Sequence, residues 1–193
     1  MTPTLQGKLV RLEPLTLEHL PALEAIAFNS TLWRYFVAEP KTPEDLRQWA
    51  ESAIKLRDAG TGMPWVTISQ AENKPAGTTR FLELDRHHRT VEIGHTWLVP
   101  AYHRTGMNIE AKLLQLTYAF EELQLNRVAL KTHHENLQSQ KAIAALGAHF
   151  EGVFRNHYVM PDGSLRHSHW FSITKEEWPA VKAKLQARLA RYL

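Results

Sequence analysis

Cysteine is absent from all 193 residues of the chain. Its absence excludes a disulfide framework, a thiolate metal site and a thiol nucleophile, and it fits the cytoplasmic location that we expect. No apolar run approaches the length that crosses a bilayer. The first residues also lack a basic stretch followed by an apolar one, so we expect neither a membrane partner nor a signal peptide.

Basic clusters and repeats are missing as well. The net charge is +3 with the 11 histidines counted as neutral, and no stretch gathers the run of Lys and Arg that is typical of nucleic-acid arms. We therefore expect no direct nucleic-acid binding. No internal repeat or low-complexity segment is present, and 193 residues with 44% hydrophobic side chains predict one domain over residues 1–193.

What the sequence does contain is an alternation of strand and helix patterns. Period-two patterns predict strands, and apolar residues at three- and four-residue spacing predict helices. We expect strands at residues 8–14, 65–70, 76–85, 90–98, 127–132, 149–160 and 165–173. We expect helices at residues 17–27, 43–60, 109–123 and 138–146, and a last one from residue 178 onward.

Individual residues within these patterns carry expectations of their own. In the helix at residues 109–123, Glu110 and Lys112 fall off the apolar stripe. In the last helix, Tyr192 is expected to face inward. The loop at residues 29–39 is rich in large rings, which suits either a binding lid or packing at the edge of the core.

The order of the elements is β-α-α-β-β-β-α-β-α-β-β, followed by a C-terminal helix. Such an order predicts a mixed α/β (α+β) single domain. The stretch from residue 90 to residue 146 reads strand, loop, helix, strand, helix. Its two strands are therefore expected to be parallel neighbours in the sheet.

The loop at residues 100–109 (PAYHRTGMNI) joins a strand to the start of a helix. Free backbone N–H groups and the positive end of the helix dipole make such a place favourable for phosphate. Gly106 would let the backbone approach the phosphates, Arg104 adds a fixed positive charge, and Asn108 tolerates the turn geometry. An ordinary strand-to-helix turn can have the same composition, so the loop alone leaves both interpretations open.

Four stretches resemble the GCN5-related N-acetyltransferases (GNAT), specifically the RimJ/RimL type, which acetylates protein amino termini and various small amines. They are residues 92–100 (EIGHTWLVP), 103–112 (HRTGMNIEAK), 126–128 with 136–147 (NRV and NLQSQKAIAALG), and 148–155 (AHFEGVFR). The likeness runs from residue 9 to residue 178. It implies a central mixed, splayed β-sheet flanked by helices, with a CoA-binding core at about residues 90–147.

The resemblance also implies an activity and a set of binding residues. The chain should be an acetyl-CoA-dependent N-acetyltransferase, with acetyl-CoA as cosubstrate and no metal. The strand end at Trp97, Leu98 and Val99 should bind the pantetheine arm through its backbone. The pyrophosphate should be held by the loop residues Arg104, Thr105, Gly106, Met107, Asn108 and Ile109.

Two further residues are assigned by the same resemblance. Asn136 should orient the pantetheine or the amine, and Ser139 should donate a proton to the thiolate leaving group. The sequence departs from the family pattern at His103, the first loop position, and at Ile143, where many relatives carry a tyrosine acid. Ile143 cannot donate a proton, and the resemblance to RimL-like relatives implies the serine one turn earlier, Ser139, as the acid.

Glu92 is the first choice for the general base, acting through a water molecule. An ordinary paired strand carboxylate explains Glu92 equally well, and His95 and His134 are weaker alternatives. The histidine pairs at residues 87–88, 133–134 and 167/169 lack an acid at metal-ligand spacing, which disfavours a metal site.

The acceptor is expected to be a primary amine. An α-amine has a pKa about 2.5 units below that of lysine, a difference worth ~3.5 kcal/mol, so an α-amine needs less help from a base. A protein amino terminus is therefore favoured, and transfer is expected to be direct, in a ternary complex. The alternatives are a small amine (a polyamine, amino acid or antibiotic) and a non-catalytic acyl-CoA-binding module. A homodimer is the assembly that the family suggests.

Overall fold

The computed structural model describes residues 2–193, apart from the side chain of Ser30. Residue 1, where the expected domain begins, lies outside this range. The strands are β1 (Leu5–Gln6), β2 (Val10–Pro14), β3 (Met63–Ser69), β4 (Lys74–Asp85), β5 (Thr90–Leu98), β6 (Arg127–His133), β7 (His149–Val159) and β8 (Leu165–Thr174). The helices are α1 (Leu20–Ala27), α2 (Ser30–Trp33), α3 (Pro43–Asp58), α4 (Met107–Thr117), α5 (Leu137–Leu146) and α6 (Trp178–Leu189).

All eight strands form one sheet in the order β1-β2-β3-β4-β5-β6-β8-β7. Neighbouring strands are antiparallel throughout, except that β5 and β6 are parallel. This mixed sheet confirms the predicted fold class, and the parallel β5–β6 pair confirms the expectation drawn from residues 90–146. None of the helices in the described range is long and apolar enough to span a membrane.

Two short elements were not visible in the sequence pattern. Strand β1 has two residues, which is too short to show an alternation. Helix α2 is a single turn inside the ring-rich loop, and it begins where the side chain of Asn29 accepts a hydrogen bond from the backbone N–H of Thr31. A π-helical turn at Tyr118–Glu122 continues α4.

The start of α3 shows how local chemistry sets an element boundary. The hydroxyl of Thr42 accepts a hydrogen bond from the N–H of Asp45 at 3.1 Å, and the Asp45 carboxylate accepts one from the N–H of Thr42 at 3.0 Å. Pro43 occupies the first helical position, where no N–H is needed. This reciprocal cap orients α3 so that Trp49 packs toward the sheet.

The sheet separates two apolar clusters. One lies against α4, α5 and α6 and includes Trp65, Phe81 and Leu116. The other lies under α1 and α3 and includes Trp33 and Trp97. The expectation for Tyr192 is wrong, because this residue follows the end of α6 and is 43% exposed.

Glu110 lies off the apolar stripe of α4, as predicted, but it is buried. Its carboxylate accepts hydrogen bonds from the backbone N–H groups of Lys8, Leu9 and Val10 at 2.8, 2.7 and 2.7 Å. These three charge-assisted bonds fasten the turn between β1 and β2 to the first turn of α4. The helix start is thereby fixed in place.

Candidate active site

The two parallel strands at the centre of the sheet are paired only along their first halves. The register runs from Thr90 opposite Arg127 to Ile93 opposite Leu130. Beyond that point β5 remains paired with β4, and β6 remains paired with β8. In the described part of the chain no β5–β6 pair follows Ile93, so the later backbone edges of these strands face a gap in the ladder.

A β-bulge lies where β5 leaves β6. Gly94 opposes Arg80 and Trp97 opposes Thr78, so two residues of β5 stand against one of β4. One of the two is His95, which has a φ of 46°, a left-handed conformation that is uncommon for a residue with a side chain. A bulge of this kind bends the strand and re-aims its peptide groups.

A buried lysine supports the bulge from the α4 side. The ammonium of Lys112 donates hydrogen bonds to the hydroxyls of Thr79 at 2.9 Å and Thr96 at 2.7 Å, and to the side-chain oxygen of Gln115 at 2.9 Å. Burial lowers the pKa of Lys112 to about 7. Lys112, which the sequence places off the apolar stripe, therefore connects β4, β5 and α4.

The loop before α4 has the backbone geometry of an anion site. Arg104 and Gly106 have φ values of 63° and 84°, and α4 begins at Met107 with no side-chain cap. Within the described residues, no protein acceptor bonds the backbone N–H groups of residues 104–109. Left-handed residues beside a helix start turn successive N–H groups toward one point, which favours a bound phosphate.

Gly106 is required for a reason that the sequence did not reveal. A Cβ at this position would lie 2.7 Å from Cγ and 2.8 Å from Cβ of Tyr192, and 3.0 Å from Cδ1 of Leu9. The close approach is thus to the end of the chain and to the turn between β1 and β2. The left-handed φ adds a second reason for glycine.

The loop is tied to the end of β5. Nε2 of His103 donates a hydrogen bond to the carbonyl of Leu98 at 2.9 Å, and the hydroxyl of Thr105 donates one to the carbonyl of Tyr102 at 2.7 Å. The departure from the family pattern at His103 therefore has a structural role. It joins the predicted pantetheine strand to the predicted pyrophosphate loop.

Asn136 and Ser139 lie on the β6 side of the gap. The side-chain oxygen of Asn136 accepts a hydrogen bond from the backbone N–H of Ser139 at 3.0 Å, which caps α5. The amide nitrogen of Asn136 and the hydroxyl of Ser139 remain without a hydrogen-bond partner among the side chains and backbone that the structure describes. Both residues are half-buried, so these groups can still contact a ligand.

Glu92 lies on β5 and is 2% exposed. Its carboxylate accepts a hydrogen bond from Nζ of Lys131 at 2.7 Å. Burial raises the pKa of Glu92, and the ammonium of Lys131 opposes the rise. Lys131 also lies over the rings of Trp170 and Tyr158, at 4.9 and 5.6 Å from their centroids. Glu92 is thus a paired carboxylate at the edge of a pocket of about 180 Å³ that includes Trp170.

The two histidines named as alternative bases have different surroundings. His95 is largely buried, and burial followed by the charges of Arg80, Lys131 and Arg166 lowers its pKa to about 3. His95 is therefore neutral at physiological pH. Nδ1 of His134 lies 3.2 Å from the backbone N–H of His167 and can accept its hydrogen bond.

The ring-rich loop covers this face of the sheet. The rings of Trp33, Tyr35 and Phe36, which we call the aromatic roof, lie 5.6, 5.2 and 5.9 Å from the rings of Trp97, His133 and His95, respectively. Trp33 is also anchored, because its Nε1 donates to the carbonyl of Ala27 at 2.7 Å. The roof both packs and covers the site.

Arg80, on β4, was not singled out in the sequence. It is 4% exposed and lies over the ring of Trp49 at 4.4 Å. A charged residue in a run of strand residues gives no signal of burial by itself. Only the register, which sets Arg80 opposite Gly94, brings it to the face that carries Glu92.

One group of side chains within the described residues could hold a metal ion. The ligand atoms of His133, His134 and Glu135 lie within 4.8 Å of one another. However, Nδ1 of His133 already accepts a hydrogen bond from the N–H of Glu135 at 3.1 Å. This bond competes with coordination of an ion by the same nitrogen.

Comparison with known proteins identifies the class to which this fold and loop belong. The sequence model of the Acetyltransferase (GNAT) domain matches residues 10–149. The chain therefore belongs to the GNAT family and is an acyltransferase of the N-acetyltransferase type. The family resemblance predicted from the sequence is confirmed.

Individual relatives agree with this assignment. The uncharacterized N-acetyltransferase YnaD of Bacillus subtilis is 32% identical over 152 residues, which cover 78% of this chain and 84% of that protein. YdaF of the same organism, named as a candidate ribosomal N-acetyltransferase, is 26% identical over 155 residues, covering 78% and 80%. The crystal structure of a GCN5-related N-acetyltransferase from Brucella melitensis has a TM-score of 0.89 at 30% identity, covering 98% of this chain and 86% of that one.

Proposed function

We propose that the protein transfers the acetyl group of acetyl-CoA directly to a primary amine in a ternary complex. The observation that carries this proposal is the segment at residues 104–109, whose unpaired N–H groups lie just before α4 and in its first turn and adjoin the gap between β5 and β6. A diphosphate and an extended pantetheine arm fit these two features. We further propose that the CoA-binding core is residues 90–147 of a single domain.

The chain's own residues have defined tasks in this proposal. The N–H groups of Arg104, Thr105, Gly106, Met107, Asn108 and Ile109 bind the pyrophosphate, and the backbone of Trp97, Leu98 and Val99 binds the pantetheine. Bound acetyl-CoA supplies an activated thioester carbonyl, which the amine attacks. The Nδ2 group of Asn136 orients the arm, and the hydroxyl of Ser139 gives its proton to the departing sulfur and regains one from solvent water.

Glu92 is proposed to accept the proton of the amine through a water molecule. Its burial supports this role, because burial raises the pKa of the carboxyl group toward the pKa of the group that it deprotonates. The ion pair with Lys131 is the competing explanation for the same burial. The α-amine of a protein amino terminus is the proposed acceptor, and the name of YdaF supports that class.

The test is an assay of free CoA thiol with a panel of amines. Peptides that begin with Ala or Ser should be acetylated if the acceptor is an α-amine, and turnover restricted to polyamines or other small amines would replace it by the alternative acceptor. Tight binding of acetyl-CoA without any turnover would contradict the proposal. Ser139→Ala should lower kcat more than it weakens acetyl-CoA binding.

Asn136→Ala is the matched variant for Ser139→Ala. It removes the cap of α5 and should cost about 1 kcal/mol of stability, whereas Ser139→Ala keeps the N–H that the cap uses. If both variants lose the same stability and rate, Ser139 acts only through the helix start. The cytoplasmic location and the homodimer stay predictions, and light scattering of the purified protein tests the dimer.

A further inference from the structure

A set of buried hydrogen-bond donors under the aromatic roof has no partner. In the described part of the chain these donors are Nη2 of Arg80, Nε1 of Trp49 and Nε1 of Trp97, and Nδ1 of His95, which donates in only one tautomer, is unpaired beside them. Buried donors are rarely left unpaired, since each unmet group costs about 1–3 kcal/mol. These donors all lack a hydrogen-bond acceptor.

These atoms lie in one neighbourhood. The guanidinium of Arg80 stacks on Trp49 at 4.4 Å, and Trp33 contacts both Trp49 and Trp97 with ring centroids 5.8 and 5.6 Å apart. Phe36 joins the set to His95 at 5.9 Å. The side chains that carry the three donors therefore belong to one packed cluster.

The charges around this place do not balance. Arg80 and Arg166 are 4% and 8% exposed, and no ion pair joins either one to a carboxylate in residues 2–193. Lys131 is neutralised by Glu92 at 2.7 Å. Arg166 donates to the hydroxyl of Ser168 and to the carbonyl of Tyr35, whereas Nη2 of Arg80 has neither charge nor hydrogen-bond compensation.

Stacking on Trp49 does not remove this deficit. A cation–π contact is worth about 2 kcal/mol when desolvated, whereas the burial of an unpaired charge costs several kcal/mol. Water can satisfy a donor but brings no countercharge. A carboxylate supplies both a hydrogen-bond acceptor and a countercharge. It only accepts hydrogen bonds, and its two oxygens match the planar fork of arginine.

We propose that the acceptor amine carries a carboxylate, and that Arg80 binds this carboxylate under the aromatic roof with the indole N–H groups of Trp49 and Trp97. This inference rests on the proposed acetyl transfer and names its substrate class. Arg80 is a specificity residue here, since it contacts the acceptor and not the reacting atoms. Gly94 lies opposite Arg80 and beside the gap between β5 and β6. The carboxylate and the amine of one small acceptor can therefore bind close to each other.

The carboxylate can belong to a free amino acid or to an acidic first residue of a peptide, and paired acceptors separate these sources. The first pair is glycine and glycinamide. The second is an Asp-initiated and an Asn-initiated peptide of otherwise identical sequence with an amidated end. In at least one pair, the carboxylate member should have a kcat/KM at least about tenfold above its amide partner, as is typical of a buried charge pair.

Arg80→Met should reduce that carboxylate-to-amide ratio by at least about tenfold. Arg86→Met is the matched control, because Arg86 is an exposed residue of the turn between β4 and β5 and its loss should leave the ratio unchanged. Acetyl-CoA affinity, measured by calorimetry, reports whether Arg80→Met is folded. If that variant does not fold, the preference of the wild-type protein decides the matter.

Three outcomes oppose the proposals in different ways. Equal turnover of carboxylate and amide members in both pairs, or turnover only of carboxylate-free amines such as spermidine, overturns the inference and leaves acetyl transfer standing. A ratio that is unchanged in folded Arg80→Met overturns the role of Arg80. No turnover with any of these amines or with the Ala- and Ser-initiated peptides contradicts acetyl transfer itself and the inference with it.

Discussion

Single residues in this protein carry constraints that their types alone do not express. Gly106 is the clearest case, because its φ is left-handed and the position of its missing Cβ is already taken by Tyr192. The same residue begins the helix whose free N–H groups form the proposed phosphate site. The absence of a Cβ at residue 106 therefore matters both for stability and for the proposed binding of the cosubstrate.

Gly106→Ala should lower the free energy of unfolding by roughly 2–4 kcal/mol, the sum of left-handed strain and a crowded contact. Urea denaturation measures this loss. Gly60→Ala is the control, since Gly60 has a φ of 75° and no atom within 4 Å of an added Cβ. Equal losses in the two variants would show that contact with Tyr192 contributes nothing.

Glu92→Gln tests the proposed base. The pKa of Glu92 is raised by burial, so the carboxylate should become protonated at a pH above the ordinary carboxyl range. Activity should consequently fall as the pH drops through that raised pKa, and Glu92→Gln should lower kcat about 10²–10⁴-fold and remove this acid limb. Glu122→Gln, at an exposed position, is the control. An acid limb that persists in Glu92→Gln would assign it to another group.

At the scale of elements, the strongly patterned segments were predictable. The Thr42, Pro43 and Asp45 signature gave the start of α3 because it is a local cap that needs no tertiary partner. The alternation around residues 90–98 gave β5. The bulge at His95 was not predictable, because it depends on the register with β4 and on Lys112 reaching across from α4.

Candidate site residues divide in the same way. The loop at residues 104–109 could be predicted from Gly106 and from its position at the start of a helix. Arg80 and Lys112 carry no local signal, since a strand arginine or a helix lysine is usually solvated. Their burial is a property of neighbouring elements, and a single sequence does not contain those distances.

The burial of Lys112 between β4, β5 and α4 predicts a pH dependence of stability. Its folded pKa of about 7 lies below the ordinary value of 10.5, so between these values the unfolded chain binds a proton that the folded one has released. Stability should therefore rise with pH from about 7 to about 10 by on the order of 4 kcal/mol from this group. The stability curve of Lys112→Met should lack this rise, so the stability difference between the wild type and the variant should grow over this pH range. Parallel stability curves for the two proteins would refute the assignment.

At the scale of the whole molecule, the fold arranges two different surfaces on the two sides of one gap. The α4 side carries the unpaired N–H groups that we propose bind the diphosphate, and the opposite face, under the aromatic roof, carries the paired and unpaired cations that we propose face the acceptor. Glu110 and His103 hold the loop against Val10 of β2 and Leu98 of β5, so the proposed phosphate site has its backbone geometry without a ligand.

Calorimetric titration with acetyl-CoA, run beside S-acetylpantetheine as the matched ligand without the diphosphate, tests the loop directly. One saturable site per chain is expected for acetyl-CoA, with far weaker binding of S-acetylpantetheine, because the N–H groups of residues 104–109 are proposed to bind the diphosphate. Absence of heat with acetyl-CoA, or equal affinity for the two ligands, would contradict the assignment of this loop.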